Sequence, residues 1–181
     1  MKNLVKYVLG TALALIIFSC DELEKLTDID FQVTLKKTLP IQVTGTDETT
    51  WTTVLDATDN SEIKRYIDNI KGYKVTELLF AIDGYNSDIG DEIYLDGSFG
   101  FGNKSSNQPK ATCEVSPLNV THVAGTGDFE ISDCTAVVND ISSILVADDA
   151  VKIYLIGSFS KAPLSFNLTV TAQVTVTASP L

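Results

Sequence analysis

Positive charge is scarce in this sequence. Its 181 residues hold 13 Lys plus Arg against 24 Asp plus Glu, a formal net charge of −11. Arg65 is the single arginine. Recognition of nucleic acid rests on clustered Lys and Arg that neutralise phosphates, so this balance argues against such a partner. Histidine is equally sparse, with His122 alone, and Cys20, Cys113 and Cys134 are the only thiols. That set argues against a multi-ligand zinc site of the usual types. No G-x-S-x-G elbow, HExxH pair or phosphate-cradling glycine loop occurs. Gly97 to Gly102 reads G-S-F-G-F-G and lacks the Lys and helix that a phosphate loop needs, so it reads as a strand running into a turn. Long apolar runs are missing too. The longest, Tyr7 to Phe18, has 12 residues, whereas a membrane-spanning helix needs about 20. What is abundant is apolar content, 44% of the chain, with a mean hydropathy of +0.14. That excludes a disordered chain and supplies a core for one domain.

The short apolar run has a context. Lys2 and Lys6 precede it, and Ile17-Phe18-Ser19-Cys20 closes it. A positive start followed by an apolar stretch of this length fits a secretory signal. The closing residues resemble the lipobox of bacterial lipoproteins: aliphatic, variable, small, then Cys. Phe18 is bulkier than usual there. The resemblance covers about the first 20 residues. It implies cleavage before Cys20, lipidation of its sulfur, and attachment to a membrane through acyl chains, for which two or more chains suffice. Cleavage removes Lys2 and Lys6 and no acid, leaving 11 cations against 24 acids, a net charge of −13. Asp21-Glu22-Leu23-Glu24 follow at once and resemble the surface-export signal of Bacteroidota lipoproteins. The domain plan is therefore a signal peptide over 1–19, a lipidated Cys and acidic tether over 20–28, and one domain over 29–181. The expected location is the cell envelope, anchored by lipid, at the outer membrane or on the cell surface.

The body reads as strands. Ile29, Phe31, Val33 and Leu35 alternate with polar residues, and Leu39, Ile41 and Val43 resume the register after Lys37. Lys36, Lys37 and Pro40 suggest a bend or an edge. From Leu164 to Ala178 the alternation has no exception over 15 residues, a reach of about 50 Å. A strand so long must be coiled, shared between sheets, or part of an elongated domain. Lys74 to Ile82 is apolar on both faces and reads as a central strand. Ile93 to Phe101 and Val151 to Phe159 give further strands, the first weakened by Gly97 and Gly100. Shorter candidates are Thr50–Leu55, Ala111–Val115, Leu118–Val123 and Phe129–Ser132. Two helices are expected. One is capped at Asn60-Ser61-Glu62 and ends by Gly72; the other runs from Val137 to about Asp148. Helix–strand–strand then recurs, which leaves a diverged duplication open. The fold class is mainly β, a β-sandwich or flattened barrel with two short helices.

Few residues suggest chemistry. Cys113 and Cys134 are either a disulfide, the preferred reading outside the cytoplasm, or two buried thiols. His122 reads as a strand-surface residue with no acidic partner spaced to orient it. Asp83, Asn86, Asp88, Asp91 and Glu92 place five oxygen-donor side chains in ten residues. Their spacing differs from an EF-hand, and a solvated turn is the simpler reading, with Ca²⁺ as the alternative. No catalytic residue, metal ligand or cofactor is assigned. The expected function is a non-catalytic, lipid-anchored envelope module that binds or supports something at its surface. A carrier of a lipid or other apolar ligand between long strands is the alternative. A surface carbohydrate-binding module or hydrolase is the second alternative.

Overall fold

The structure is a computed structural model and describes residues 28–115 and 117–180. Eight strands form two sheets: β1 Ile29–Val43, β2 Thr49–Asp56, β3 Ile70–Asn86, β4 Tyr94–Gly102, β5 Ala111–Glu114, β6 Leu118–Asn119, β7 Ala150–Phe159 and β8 Leu164–Ala178. Among the described residues three α-helices decorate them: α1 Ser61–Tyr66, α2 Val120–Val123 and α3 Val138–Asp148. The long sheet has the order β1-β8-β3. The short sheet has the order β2-β7-β4-β5, with β6 also paired to β4. Neither sheet closes on itself, so the fold is a β-sandwich and not a barrel.

The long alternating strand is neither split nor shared. β8 lies entirely in the long sheet and pairs β1 from Ile29↔Ala178 to Val43↔Leu164 without a slip. Elongation is thus the way the chain accommodates 15 residues. Its apolar residues face the core, where Val170, Ala172 and Val176 are fully buried. β8 is also flanked on both sides, which buries Thr169 and Thr171 on the opposite face. The hydroxyls of Thr169 and Thr38 lie 3.0 Å apart, so the burial leaves a hydrogen bond in place. β1 is an unbroken edge strand. Pro40, which lacks an N–H, and Lys36 and Lys37 sit where an edge tolerates them.

β3 is a correction. Two apolar faces suggested a central strand, but β3 is the other edge of the long sheet. Its register slips by one residue between Val75 and Glu77. The buried set accordingly changes from Tyr73 and Val75 to Leu78, Phe80 and Ile82, as a bulge requires. The second apolar face is therefore the same face read in two phases, with Ala81 buried in addition.

The short sheet is tighter. Gly97 of β4 stands opposite Gly157 of β7. A Cβ on Gly97 would collide with the carbonyl oxygen of Ile156, and one on Gly157 would lie 2.6 Å from that of Asp96. Glycine here permits close approach of two backbones. The sheets meet through aromatic contacts. Phe80 lies on Phe99 with ring centroids 4.5 Å apart. Phe159 sits between Trp51 and Phe166, each 5.8 Å away.

The helices settle where caps and apolar spacing direct them. The Asn60 side chain accepts from the N–H groups of Glu62 and Ile63 at 2.9 and 3.1 Å, and Ile63 is fully buried. The expected helix up to Gly72 is shorter: α1 stops at Tyr66, a 3-10 turn spans Ile67–Asn69, and Ile70 is recruited into β3 opposite Ala178. α3 buries Ile141, Ile144 and Leu145 and stops at Asp149, whose φ of 52° is left-handed. That residue holds the turn in place. Its N–H donates to Leu145 O and its carbonyl accepts from Ala57 N, both at 2.8 Å. Its carboxylate accepts from Tyr73 Oη at 2.8 Å.

Two short strand expectations dissolve. Leu118–Val123 is strand only at Leu118–Asn119 and then becomes α2. Phe129–Ser132 contributes one bridge, Phe129 to Phe80, before a 3-10 turn at Ser132–Val137. A duplication is not supported by topology. β3 and β4 enter the long then the short sheet, whereas β7 and β8 enter the short then the long.

Candidate functional site

The long sheet has two ends of different character. At one, β1 begins at Ile29 and β8 finishes at Ala178. The Lys71 ammonium pairs with Asp28 at 2.7 Å there, and Ser179 N donates to Asn69 O. At the other end, β1 finishes and β8 begins, and an open cleft of about 310 Å³ lies between them and the end of β3. The two ends are separated by the length of the strands, about 50 Å for 15 residues.

The cleft lies just beyond the point where β3, paired to β8 as far as Asn86↔Ser165, leaves the sheet. The β3 register slips again between Asp83 and Asn86, and Gly84 takes φ +61° at the slip. The chain then folds back towards β8. Ser87 Oγ donates to Pro163 O at 3.3 Å and accepts from Ile89 N at 3.1 Å. The Ala162–Pro163 peptide is cis. Buried Val43 and Leu164 contribute apolar lining. Gln42, Thr44, Asn86 and Asp88 contribute exposed polar groups, and none of the four side chains makes a hydrogen bond to a described residue. The wall therefore offers two amides, a hydroxyl and a carboxylate to a ligand, over an apolar base. Such a surface can donate and accept hydrogen bonds.

The acids of the neighbouring segment are turned to other partners. Asp91 accepts from Lys161 Nζ at 2.6 Å, and this hydrogen bond holds its carboxyl below the ordinary range. Glu92 accepts from Tyr94 Oη at 2.6 Å, which pushes the phenol up. Asp83 is exposed. No group of three or more His, Cys, Asp or Glu that could hold a metal ion occurs among the described residues.

Cys113 and Cys134 are bonded to each other, joining β5 to the 3-10 turn that precedes α3. His122 is not on a strand. It is exposed on α2, where Asn119 Oδ1 accepts its N–H at 3.0 Å. Cys20 and the signal-like segment lie outside the described residues. No described helix is long and apolar enough to cross a membrane. The cleft residues were not singled out from the sequence, apart from Asn86 and Asp88 as oxygen donors. The slip in β3 beside the cleft has a sequence trace only in Gly84.

These features define a two-sheet β-sandwich with a polar cleft at one end. No protein-family model matches the chain. No curated protein matches it either. Among solved structures, a chain of Desmodium yellow mottle tymovirus aligns at 11% identity and a TM-score of 0.32, over 84% of each chain. A chain of Turnip yellow mosaic virus aligns at 9% identity and a TM-score of 0.33, over 84% of this chain and 96% of that one. Both scores are too low to indicate a shared fold.

Proposed function

We propose that this chain is a non-catalytic, lipid-anchored protein of the bacterial envelope. Its sandwich holds a polar binding cleft away from the membrane. The observation that carries this reading is the polarity of the long sheet. β1 begins nine residues after Cys20, at the end opposite the cleft. A tether of nine residues spans at most about 30 Å, so lipidation of Cys20 would tie down the Ile29 end and point the cleft outward. The Cys113–Cys134 bond supports an oxidising compartment such as the envelope. The net charge of −13 after cleavage would repel the body from anionic headgroups, so the acyl chains must do the holding. A cleft lined by amides, a hydroxyl and a carboxylate suits a small hydroxylated or amide-bearing ligand better than an apolar one.

The test is the mass of the N-terminal peptide of the mature chain from a bacterial membrane fraction, beside a Cys20→Ser variant. We expect a peptide that starts at Cys20 and carries acyl mass, and release of the variant into the soluble fraction. An unmodified N-terminus, with both forms fractionating alike, would overturn the reading.

A further inference from the structure

One wall of the cleft is stitched in place. Ser87 Oγ donates to Pro163 O at 3.3 Å, and Lys161 Nζ donates to Asp91 at 2.6 Å. Tyr94 and Ser160 bond twice, from Tyr94 N to Ser160 Oγ and from Ser160 N to Tyr94 O, both at 2.9 Å. Glu92 accepts from Tyr94 Oη. The polar side chains from Asn86 to Tyr94 are thus spent on the protein itself, with two exceptions. Asn86 and Asp88, two residues apart, line the cleft, are exposed, and have no partner among the described residues. On the far side of β8, Gln42 and Thr44 repeat that arrangement around Val43, the last residue of β1. Fixed backbone carrying unspent polar groups is what a preorganised site requires.

The lining residues also set the charge of the cleft. Asp88 is its one charged residue, and no Lys or Arg lines it. Lys161, the cation on the adjoining turn, is held by Asp91. The chain as a whole carries −11, so its field keeps anions away and draws cations in. A neutral ligand would leave the Asp88 carboxylate to water, whereas an ammonium group gives it a charge-assisted hydrogen bond. The other groups ask for hydroxyls. The amides of Gln42 and Asn86 and the hydroxyl of Thr44 both donate and accept, as hydroxyl groups do. Val43 and Leu164 give the C–H face of a small ring an apolar seat. A volume of about 310 Å³ suits a small molecule.

We propose that the cleft takes a small polyhydroxylated amine, an amino sugar in kind, with its ammonium on Asp88 and its hydroxyls on Gln42, Thr44 and Asn86. This rests on the proposal that the cleft is a binding site, and adds the charge and chemistry of what it binds.

The test is a titration of the full chain carrying Cys20→Ser, followed by amide NMR, so lipid anchoring plays no part. The probes are glucosamine below neutral pH, where it is an ammonium, then glucose, then ammonium chloride. Glucosamine should shift the amides of Gln42, Asn86, Asp88 and Leu164, and should bind about three- to tenfold more tightly than glucose. Ammonium chloride at equal ionic strength should not reproduce these shifts. Asp88→Asn should erase the preference and leave circular dichroism unchanged, because Asp88 is exposed. Glucose binding as tightly as glucosamine, or a preference that survives Asp88→Asn, overturns the inference and leaves the cleft as a binding site. Shifts that ammonium chloride alone reproduces overturn it as well. No shift of those amides with any probe overturns both the inference and the cleft as a binding site.

Discussion

The long sheet is held by register and the short sheet by close approach. β1 and β8 pair over 15 residues without a slip, and alternation alone sorts their side chains between core and surface. β4 and β7 instead meet at Gly97 and Gly157, where no side chain fits. A long regular strand gains its stability residue by residue, so the loss of one side chain is a local cost. A glycine crossing concentrates the requirement at one point. The difference teaches where each sheet is fragile: the long one at the residues that touch the other sheet, the short one at its backbone contacts and its disulfide.

The largest effect should come from Phe80→Ala. Phe80 belongs to the long sheet, is fully buried, and lies on Phe99 of the short sheet. Truncation leaves a cavity between the layers and should cost about 3–5 kcal/mol, read as a lower denaturant midpoint. Removing the disulfide should be next. The bond joins residues 21 apart, and the chain-entropy model gives about 3 kcal/mol for a loop of that size. If reduction melts both sheets together, the two are one cooperative unit. If only the β5 edge loosens, they are separable.

Gly97→Ala should cost about 1–3 kcal/mol through overpacking. The matching substitution Ser165→Ala, at a half-buried outward position of β8, should stay within about 0.5 kcal/mol. Equal costs at the two sites would remove the distinction between the sheets.

Tyr73→Phe should be the smallest, about 1 kcal/mol near neutral pH for one hydrogen bond. Its signature is alkaline. Burial, and then the Asp149 carboxylate, push the Tyr73 phenol well above its ordinary value. A group raised in the folded state keeps its full contribution below the unfolded value, about 10. The contribution is lost as pH climbs above that. Tyr73→Phe should therefore flatten the loss of stability in unfolding curves above about pH 10. The acid side has the opposite sign. The hydrogen bond from Lys104 lowers Asp56, so that contribution is present above the ordinary carboxylate range and fades as pH falls through the folded value.

Much of this architecture was legible in the chain. Alternation from Leu164 to Ala178, and from Ile29 to Val43 with one interruption at Lys37, marked two strands that pair in the long sheet. Asn60 announced its helix by its capping chemistry. What alternation cannot carry is a change of phase. The bulge at Val75–Glu77 made an edge strand look buried on both sides, and the slip at Asp83–Asn86, which borders the cleft, interrupts no hydrophobic pattern. His122 was misread for a related reason. A four-residue helix such as α2 is too short to show its own period, and its cap, Asn119, stands in a two-residue strand. Gly97 looked like a weakness within a strand because its partner, Gly157, is 60 residues away in sequence and adjacent only in the fold.

The most direct test of this account is hydrogen exchange of the native chain, resolved by strand. The long sheet should set the global stability. Amides of β8, bonded on both sides, should exchange last and together with the inner amides of β1. β2 and β5, the edges of the short sheet, should exchange earlier. Slower exchange in β2 or β5 than in β8 would contradict the division of labour between the two sheets.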